Sequence, residues 1–211
     1  MFNDFITRLN NELVKTLPGE DAHLKMASTL KNFSASFDHH GEPVKNSAVC
    51  ILLFPENNEW HSVLIKRPEY QGYHSGQIGL PGGKVDINDV DLKQTALREV
   101  REEIGVDELK IKIIGQLSDL YIPVSNIKVT PFIGCSTECP VFQIDPYEVV
   151  ELIKFPVNML LSAKSVKQEK MTFRGFDLDV PYYDIQGYHV WGATAMILSE
   201  FCEIVRPVIQ V

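Results

Sequence analysis

The chain has 211 residues, enough for one generous domain that buries a core without disulfide staples. Its 45% apolar and 23% charged content excludes disordered and membrane-spanning classes, because the longest apolar runs, such as residues 48–54, are only strand-sized. A net charge of −8 and a pI near 5.2 exclude a basic surface for nucleic acid, but admit a small anionic ligand whose charge is cancelled by divalent cations and a few basic groups.

Phe2, Phe5, Ile6, Leu9, Leu13 and Val14 recur mostly every three or four residues, which predicts an amphipathic helix over 2–16, stopped by Leu17-Pro18-Gly19. The opening Met-Phe-Asn-Asp carries no signal-like cationic and apolar pattern, so a cytoplasmic location is expected. A polar, irregular stretch around Asp38-His39-His40-Gly41 follows, with both histidines read as solvated. Strand-like runs at 48–54 and 62–66, separated by 55–59, predict a hairpin.

The segment Gly72-Tyr73-His74-Ser75-Gly76-Gln77-Ile78-Gly79-Leu80-Pro81-Gly82-Gly83 leads into a helix whose N-cap is Asn88 or Asp89 and whose stop is Gly105. Strands are expected at 110–117, 128–135, 171–173 and 182–185, and a last helix at 191–204. Strands mixed irregularly with helices indicate helices packed over a mixed sheet. Cys135 and Cys139 lack the paired spacing and the neighbouring histidine of a zinc site.

On the helix ending at Gly105, Glu99, Glu102 and Glu103 stand at i, i+3 and i+4, so three carboxylates share little more than one turn. Leu97, Val100 and Ile104 lie on another face, which should be the buried one and keep the carboxylates out of the core. Taken alone, such a run is usually a solvated acidic face. Its context differs: Pro81-Gly82-Gly83 precedes the helix with a backbone able to bend and expose a carbonyl, and hard cations take carboxylate and carbonyl oxygens.

Residues 83–106 resemble a Nudix box, whose pattern is Gly, five residues, Glu, seven residues, then Arg-Glu-Ψ-x-Glu-Glu-x-Gly-Ψ, with Ψ a bulky aliphatic. Arg98, Glu99, Val100, Glu102, Glu103, Gly105 and Val106 fill the second half at every specified position. In the first half the acidic residue is Asp89, and eight residues separate it from Arg98. Asp89 either keeps the family glutamate's peripheral role or caps the helix.

The resemblance implies a Nudix-type α/β/α sandwich, an α+β fold with a mixed sheet between helices, over residues 46–211, with residues 1–45 a helical extension packed on it. It implies hydrolysis of a pyrophosphate with one or more Mg²⁺ or Mn²⁺ ions. Glu99 and Glu103 would be the principal metal ligands, Glu102 a further ligand or a base, Gly82 a carbonyl ligand, and Arg98 the group that orients the cluster. The base stays open, with Glu148 and Glu151 candidates by position only.

Arg67 with residues 74–83 is similar to the signature of the coenzyme A diphosphatase branch, and the extra residue before Arg98 also fits that branch. Ile122-Pro123-Val124-Ser125, Val129-Thr130-Pro131-Phe132-Ile133-Gly134, Glu148-Val149, Phe155-Pro156-Val157 and Val190-Trp191-Gly192-Ala193-Thr194-Ala195 agree with it. Lys66-Arg67-Pro68 and Leu80 depart from its usual residues. The substrate so implied is coenzyme A or an acyl derivative, cleaved to 3′,5′-ADP and 4′-phosphopantetheine.

Lys66, Arg67 and Lys84 flank the glycine-rich loop, and Arg67 is the preferred phosphate contact because its planar guanidinium binds oxygens bidentately. Lys84 is a second contact. His74 and Gln77 either touch substrate or brace the loop, bracing being the commoner use of such side chains. Trp191 and Phe201 are read as core. A different nucleoside diphosphate derivative, such as ADP-ribose, a dinucleotide or a sugar nucleotide, is the alternative substrate, and a nucleotide-sensing module the alternative class. The partner is a small molecule, with no nucleic acid and no membrane. The sequence also admits a homodimer.

Overall fold

A computed structural model of the chain describes residues 2–28, 39, 41–71, 74–173 and 176–209; Asp38, His40, Gly72 and Tyr73, named above, lie outside the described residues. The central strand β1 (Lys45–Glu56) is buried along most of its length. It forms a hairpin with β2 (Glu59–Lys66), in which Glu56 faces Glu59. The turn is therefore only Asn57-Asn58, both with positive φ (51° and 63°). That is the backbone of a primed two-residue turn, which asparagine tolerates, so the expected 55–59 connection shrinks to two residues.

The remaining strands are β3 (Ile78–Gly79), β4 (Gly82–Lys84), β5 (Lys112–Gln116), β6 (Leu120–Ile122), β7 (Ile127–Cys135), β8 (Glu151–Pro156), β9 (Val166–Phe173), β10 (Phe176–Ile185) and β11 (Tyr188–Trp191). The main sheet runs β3-β2-β1-β7-β5, with β4 on β1, β6 on β7 and β8 on β2. β1 and β7 pair in parallel and the other neighbours antiparallel, which makes the sheet mixed. β9, β10 and β11 form a separate three-stranded sheet.

Because alternate residues of a strand face opposite sides, β1 serves two cores at once. Ile51 and Leu53 enter one; Cys50, Leu52 and Phe54 enter the other. Helix α3 (Leu92–Ile104) closes the second with Ala96, Val100 and Ile104. Helices α1 (Phe2–Leu13) and α4 (Gly192–Ile209) close the first with Phe5, Leu9, Ile197 and Phe201. The layers are helix, mixed sheet, helix, as the expected sandwich requires.

Several boundaries move. The N-cap of α3 is Asp91, neither Asn88 nor Asp89: its carboxylate accepts the Gln94 amide at 2.8 Å, and the Gln94 side chain returns to the Val90 amide. Asp89 is engaged elsewhere. Val14 lies beyond α1 and is exposed. The last helix runs to Ile209 through Pro207, whose carbonyl accepts Arg8 at 2.9 Å. The strand β8 was not expected from its sequence, and His39 is half-buried with its ring nitrogen 2.5 Å from the Pro123 carbonyl. Phe201 is fully buried.

The N-terminal segment shares the main core. Phe5 stacks on Trp60 with ring centroids 4.7 Å apart. Between α1 and β1 lies α2 (Glu20–Leu24), whose His23 ring meets buried Glu200 at 3.0 Å. Glu200 also accepts the Gly19 amide and the Ser118 amide and hydroxyl, so one carboxylate ties α2 and the loop before β6 to α4. Among the described residues, no helix is long and apolar enough to cross a membrane.

Candidate active site

The site begins where β1 leaves β2 and takes β4 as its partner, with Ala48 opposite Gly83 and Val49 opposite Gly82. A side chain at residue 82 would strike backbone, and one at residue 83 would have to displace the Glu99 carboxylate. A Cβ on Gly82 (φ 153°) would meet Val49 Cα at 2.6 Å, and one on Gly83 would meet Glu99 Cδ at 2.5 Å. The strand can thus pass directly under α3, and the Gly82 amide donates to Glu103 Oε2 at 2.8 Å.

Glu103 is only 1% exposed, which corrects the expectation that the helix keeps its carboxylates out of the core. The acidic face of α3 is pressed against β4, where the glycines leave room, while Leu97 is only partly buried. Burial pushes the Glu103 carboxyl up to about 7, although Arg67 and the Gly82 amide pull the other way. Burial also raises Glu99, against the opposing pull of Arg98.

Glu99, Glu103 and Glu148 offer oxygens that all lie within 4.8 Å of one another. Glu148 reaches this place because the chain after β7 folds back on the end of α3. Gln143 donates its amide to the Ile104 carbonyl at 2.9 Å, and Asp145 donates to the Glu103 carbonyl at 3.1 Å. Gly105 permits this approach, since a Cβ there would meet the Gln143 carbonyl oxygen at 2.6 Å. In the sequence Glu148 stood out only by its position beyond the box and by the Glu148-Val149 pair that agrees with the coenzyme A branch. Glu102 stands outside the group, with its oxygens 2.8 Å from Arg98 and 3.3 Å from Arg101.

Arg98 is fully used. It grips Asp89 through Nε and Nη2 at 3.0 and 3.1 Å, donates from Nη1 to Glu99 and Glu102 at 2.8 Å each, and reaches the Lys84 carbonyl at 3.0 Å. This two-point grip holds the Asp89 carboxyl down to about 2. Asp89 therefore anchors Arg98 and does not cap α3.

Arg67, at the end of β2, donates from Nη2 to the Gly82 carbonyl at 2.8 Å, and its Nη1 lies 3.2 Å from Glu103 Oε1. His74 (φ 60°) holds Gln77 through its ring nitrogen at 3.1 Å, so this pair braces the loop. Arg67 and Gln77 also close that loop by a backbone bond of 3.0 Å.

A cavity of about 770 Å³ opens beside Glu99 and Arg98. Arg67, His74, Gln77, Gly82 and Lys84 border it, whereas Lys66 does not. Exposed Lys45 adds a further cation, and Ile122, Ser125, Ile127 and Ile197 form a largely apolar wall. The Ser125 hydroxyl is buried with no hydrogen-bond partner among the described residues. The first turn of α4 is pinned to this wall, where Thr194 donates to the Ile78 carbonyl at 3.2 Å.

Three carboxylates converging beside an exposed cavity are hard oxygen donors with net negative charge, the donor set that a divalent cation takes. Residues 44–171 match the family model of the NUDIX domain. The chain belongs to the Nudix hydrolase family. It is 32% identical over 161 residues to "Nudix hydrolase 15, mitochondrial" of Arabidopsis thaliana, covering 73% of this chain and 56% of that protein. To "Uncharacterized Nudix hydrolase NudL" of Photorhabdus laumondii it is 31% identical over 144 residues, covering 68% of this chain and 76% of the relative. The chain thus spans little more than half of the plant Nudix protein. Among solved structures, the Nudix hydrolase RenU of M. smegmatis superposes with a TM-score of 0.53 at 13% identity, covering 81% of this chain and 94% of that one. At that identity the likeness concerns the Nudix fold alone.

Proposed function

We propose that this Nudix protein hydrolyses the pyrophosphate of coenzyme A or an acyl derivative, releasing 3′,5′-ADP and 4′-phosphopantetheine. The observation that carries the hydrolytic reading is the convergence of Glu99, Glu103 and Glu148 within 4.8 Å, at a strand whose glycines admit them. The choice of coenzyme A rests on the residues of the loop from Arg67 to Gly83 and of the distal segments that border the same cavity.

Glu99, Glu103, Glu148 and the Gly82 carbonyl would hold Mg²⁺ or Mn²⁺. When bound, such an ion supplies charge neutralisation and Lewis acidity at the phosphorus oxygens. Arg98 holds Glu99 in place, and the Gly82 amide does the same for Glu103. Glu102, turned to Arg98 and Arg101, serves as a positioning partner of Arg98 in this reading.

Arg67 sits beside Glu103, so it belongs with the pyrophosphate. Lys84 and Lys45, exposed on the cavity border, are then left for the 3′-phosphate. The uncharged wall of Ile122, Ile127 and Ile197 offers a surface for the organic part of the substrate.

The test is a screen of the purified protein against coenzyme A, ADP-ribose, NADH and nucleoside triphosphates, with Mg²⁺ or Mn²⁺ and with excess EDTA. Equal amounts of 3′,5′-ADP and 4′-phosphopantetheine are expected, with turnover abolished by the chelator and restored by added metal. Faster cleavage of ADP-ribose than of coenzyme A overturns the substrate and leaves the Nudix chemistry. Binding of nucleotides without turnover of any of them points to a sensing module.

A further inference from the structure

Arg67 bridges two of the groups assigned above to the cation. Its Nη2 donates to the Gly82 carbonyl at 2.8 Å while its Nη1 lies 3.2 Å from Glu103 Oε1. The other Glu103 oxygen already accepts the Gly82 amide at 2.8 Å. One guanidinium thus pairs a carboxylate that is 1% exposed and satisfies a buried carbonyl, two groups that would be costly to leave unpaired.

A divalent ion bonded to Glu103 and to the Gly82 carbonyl would compete with Arg67 for the same two groups. Two positive centres on one carboxylate also repel. Arg67 has somewhere else to go. Its side chain is 27% exposed and borders the cavity, while its backbone is held to Gln77 and followed by Pro68, so the side chain can turn without the strand moving.

We infer that Arg67 is an internal counter-cation that occupies the metal's place on Glu103 and Gly82, and that it transfers to the substrate pyrophosphate when the ion enters. This rests on the metal assignment proposed above and adds a coupling to it. Any ligand that draws Arg67 off Glu103 raises the affinity for the ion, and by reciprocity the ion raises the affinity for that ligand.

The test is calorimetric titration of Mn²⁺ alone into the wild-type protein and into Arg67→Gln, Arg67→Lys and Lys84→Gln. Arg67→Gln is expected to bind Mn²⁺ about tenfold more tightly than wild type. Arg67→Lys keeps the charge but loses the two-point bridge, so a smaller gain of about threefold is expected. Lys84→Gln removes a cavity cation that does not touch Glu103, and should change the affinity by less than about twofold.

Wild-type binding with no gain in Arg67→Gln overturns the coupling and leaves the metal site standing. A gain in Lys84→Gln as large as in Arg67→Gln also overturns it, because general repulsion then accounts for both. Absence of Mn²⁺ binding by the wild type removes the metal assignment and the coupling together. Should Arg67→Gln lose its circular dichroism signal, Arg67→Lys carries the test, and an affinity no tighter than wild type counts against the bridge.

Discussion

A Cβ placed on Gly83 would lie 2.5 Å from the Glu99 carboxyl carbon, so strand β4 and helix α3 approach as closely as they do because residue 83 has no side chain. Gly83→Ala must push that carboxylate aside, and a side-chain end can yield. Turnover is expected to fall at least about tenfold while the protein stays folded. At Gly82 the obstacle is backbone, with Val49 Cα at 2.6 Å and φ at 153°, so Gly82→Ala should cost about 2 kcal/mol or more of stability. Thermal denaturation of both variants beside steady-state assays separates the two; equal loss of stability would show that Gly83 is no more tolerant than Gly82.

Glu103→Gln keeps the shape and removes the charge, and turnover should drop at least about a hundredfold, as for a lost metal ligand. Its effect on stability has the opposite sign. The carboxyl titrates near 4.5 when unfolded and near 7 in the folded chain. Between those values the folded state holds the extra proton, so wild-type stability falls as pH rises from about 4.5 to 7 and then levels. In metal-free buffer at pH 8, Glu103→Gln should be more stable than wild type by about 3 kcal/mol. Denaturant titrations at pH 5 and pH 8 check this, and parallel curves for the two proteins would refute it.

Glu148 and Glu102 should part company. Glu148→Gln removes one of three converging carboxylates and should weaken Mn²⁺ binding along with turnover. Glu102→Gln loosens Arg98 but leaves the group of three intact, so its loss of turnover should be about tenfold smaller and its Mn²⁺ affinity close to wild type. Calorimetry on both variants decides between them. A Glu102 variant that loses the ion would return that residue to the ligand set.

Coenzyme A and dephospho-coenzyme A differ only in the 3′-phosphate. With Arg67 beside Glu103, Arg67→Ala should lower kcat/KM equally for both substrates. Lys84→Ala should lower it more for coenzyme A, since a phosphate left without its cation is the larger loss. Unequal losses in Arg67→Ala would place the guanidinium at the 3′-phosphate.

Glu200 is buried and accepts from Gly19, Ser118 and His23. Burial pulls its carboxyl up, but the His23, Ser118 and Gly19 hydrogen bonds outweigh it and leave the net shift downward. Its contribution to stability is therefore complete above the ordinary glutamate range and is lost as pH falls through the lowered value. Glu200→Ala strands these donors and should cost about 3 kcal/mol, with faster proteolysis of the segment before residue 28. Unchanged proteolysis would mean that α1 alone anchors that segment.

Much of this protein was decided locally, and local features are what a sequence displays. The glutamates of α3 share a face because 3.6 residues make a turn, and β1 stays buried because both of its alternating faces are apolar. Gly105, in the left-handed conformation at 71°, ends α3 as its residue type foretells. Other features needed partners distant in the chain. Glu103 is buried only because β4 passes beneath it, and Glu148 joins the acidic group only because residues 143–145 bond back to the end of α3. Asp89 was free to cap α3 until Arg98, nine residues on, took both its oxygens and left the cap to Asp91. Arg67, read as a phosphate contact on its charge, turned out to lean on Glu103, 36 residues later. Helix phase and strand alternation are properties of neighbouring residues, whereas a carboxylate's burial and an arginine's partner depend on which distant backbone comes within about 3 Å, and that is settled only when the sheet and its two helical layers close.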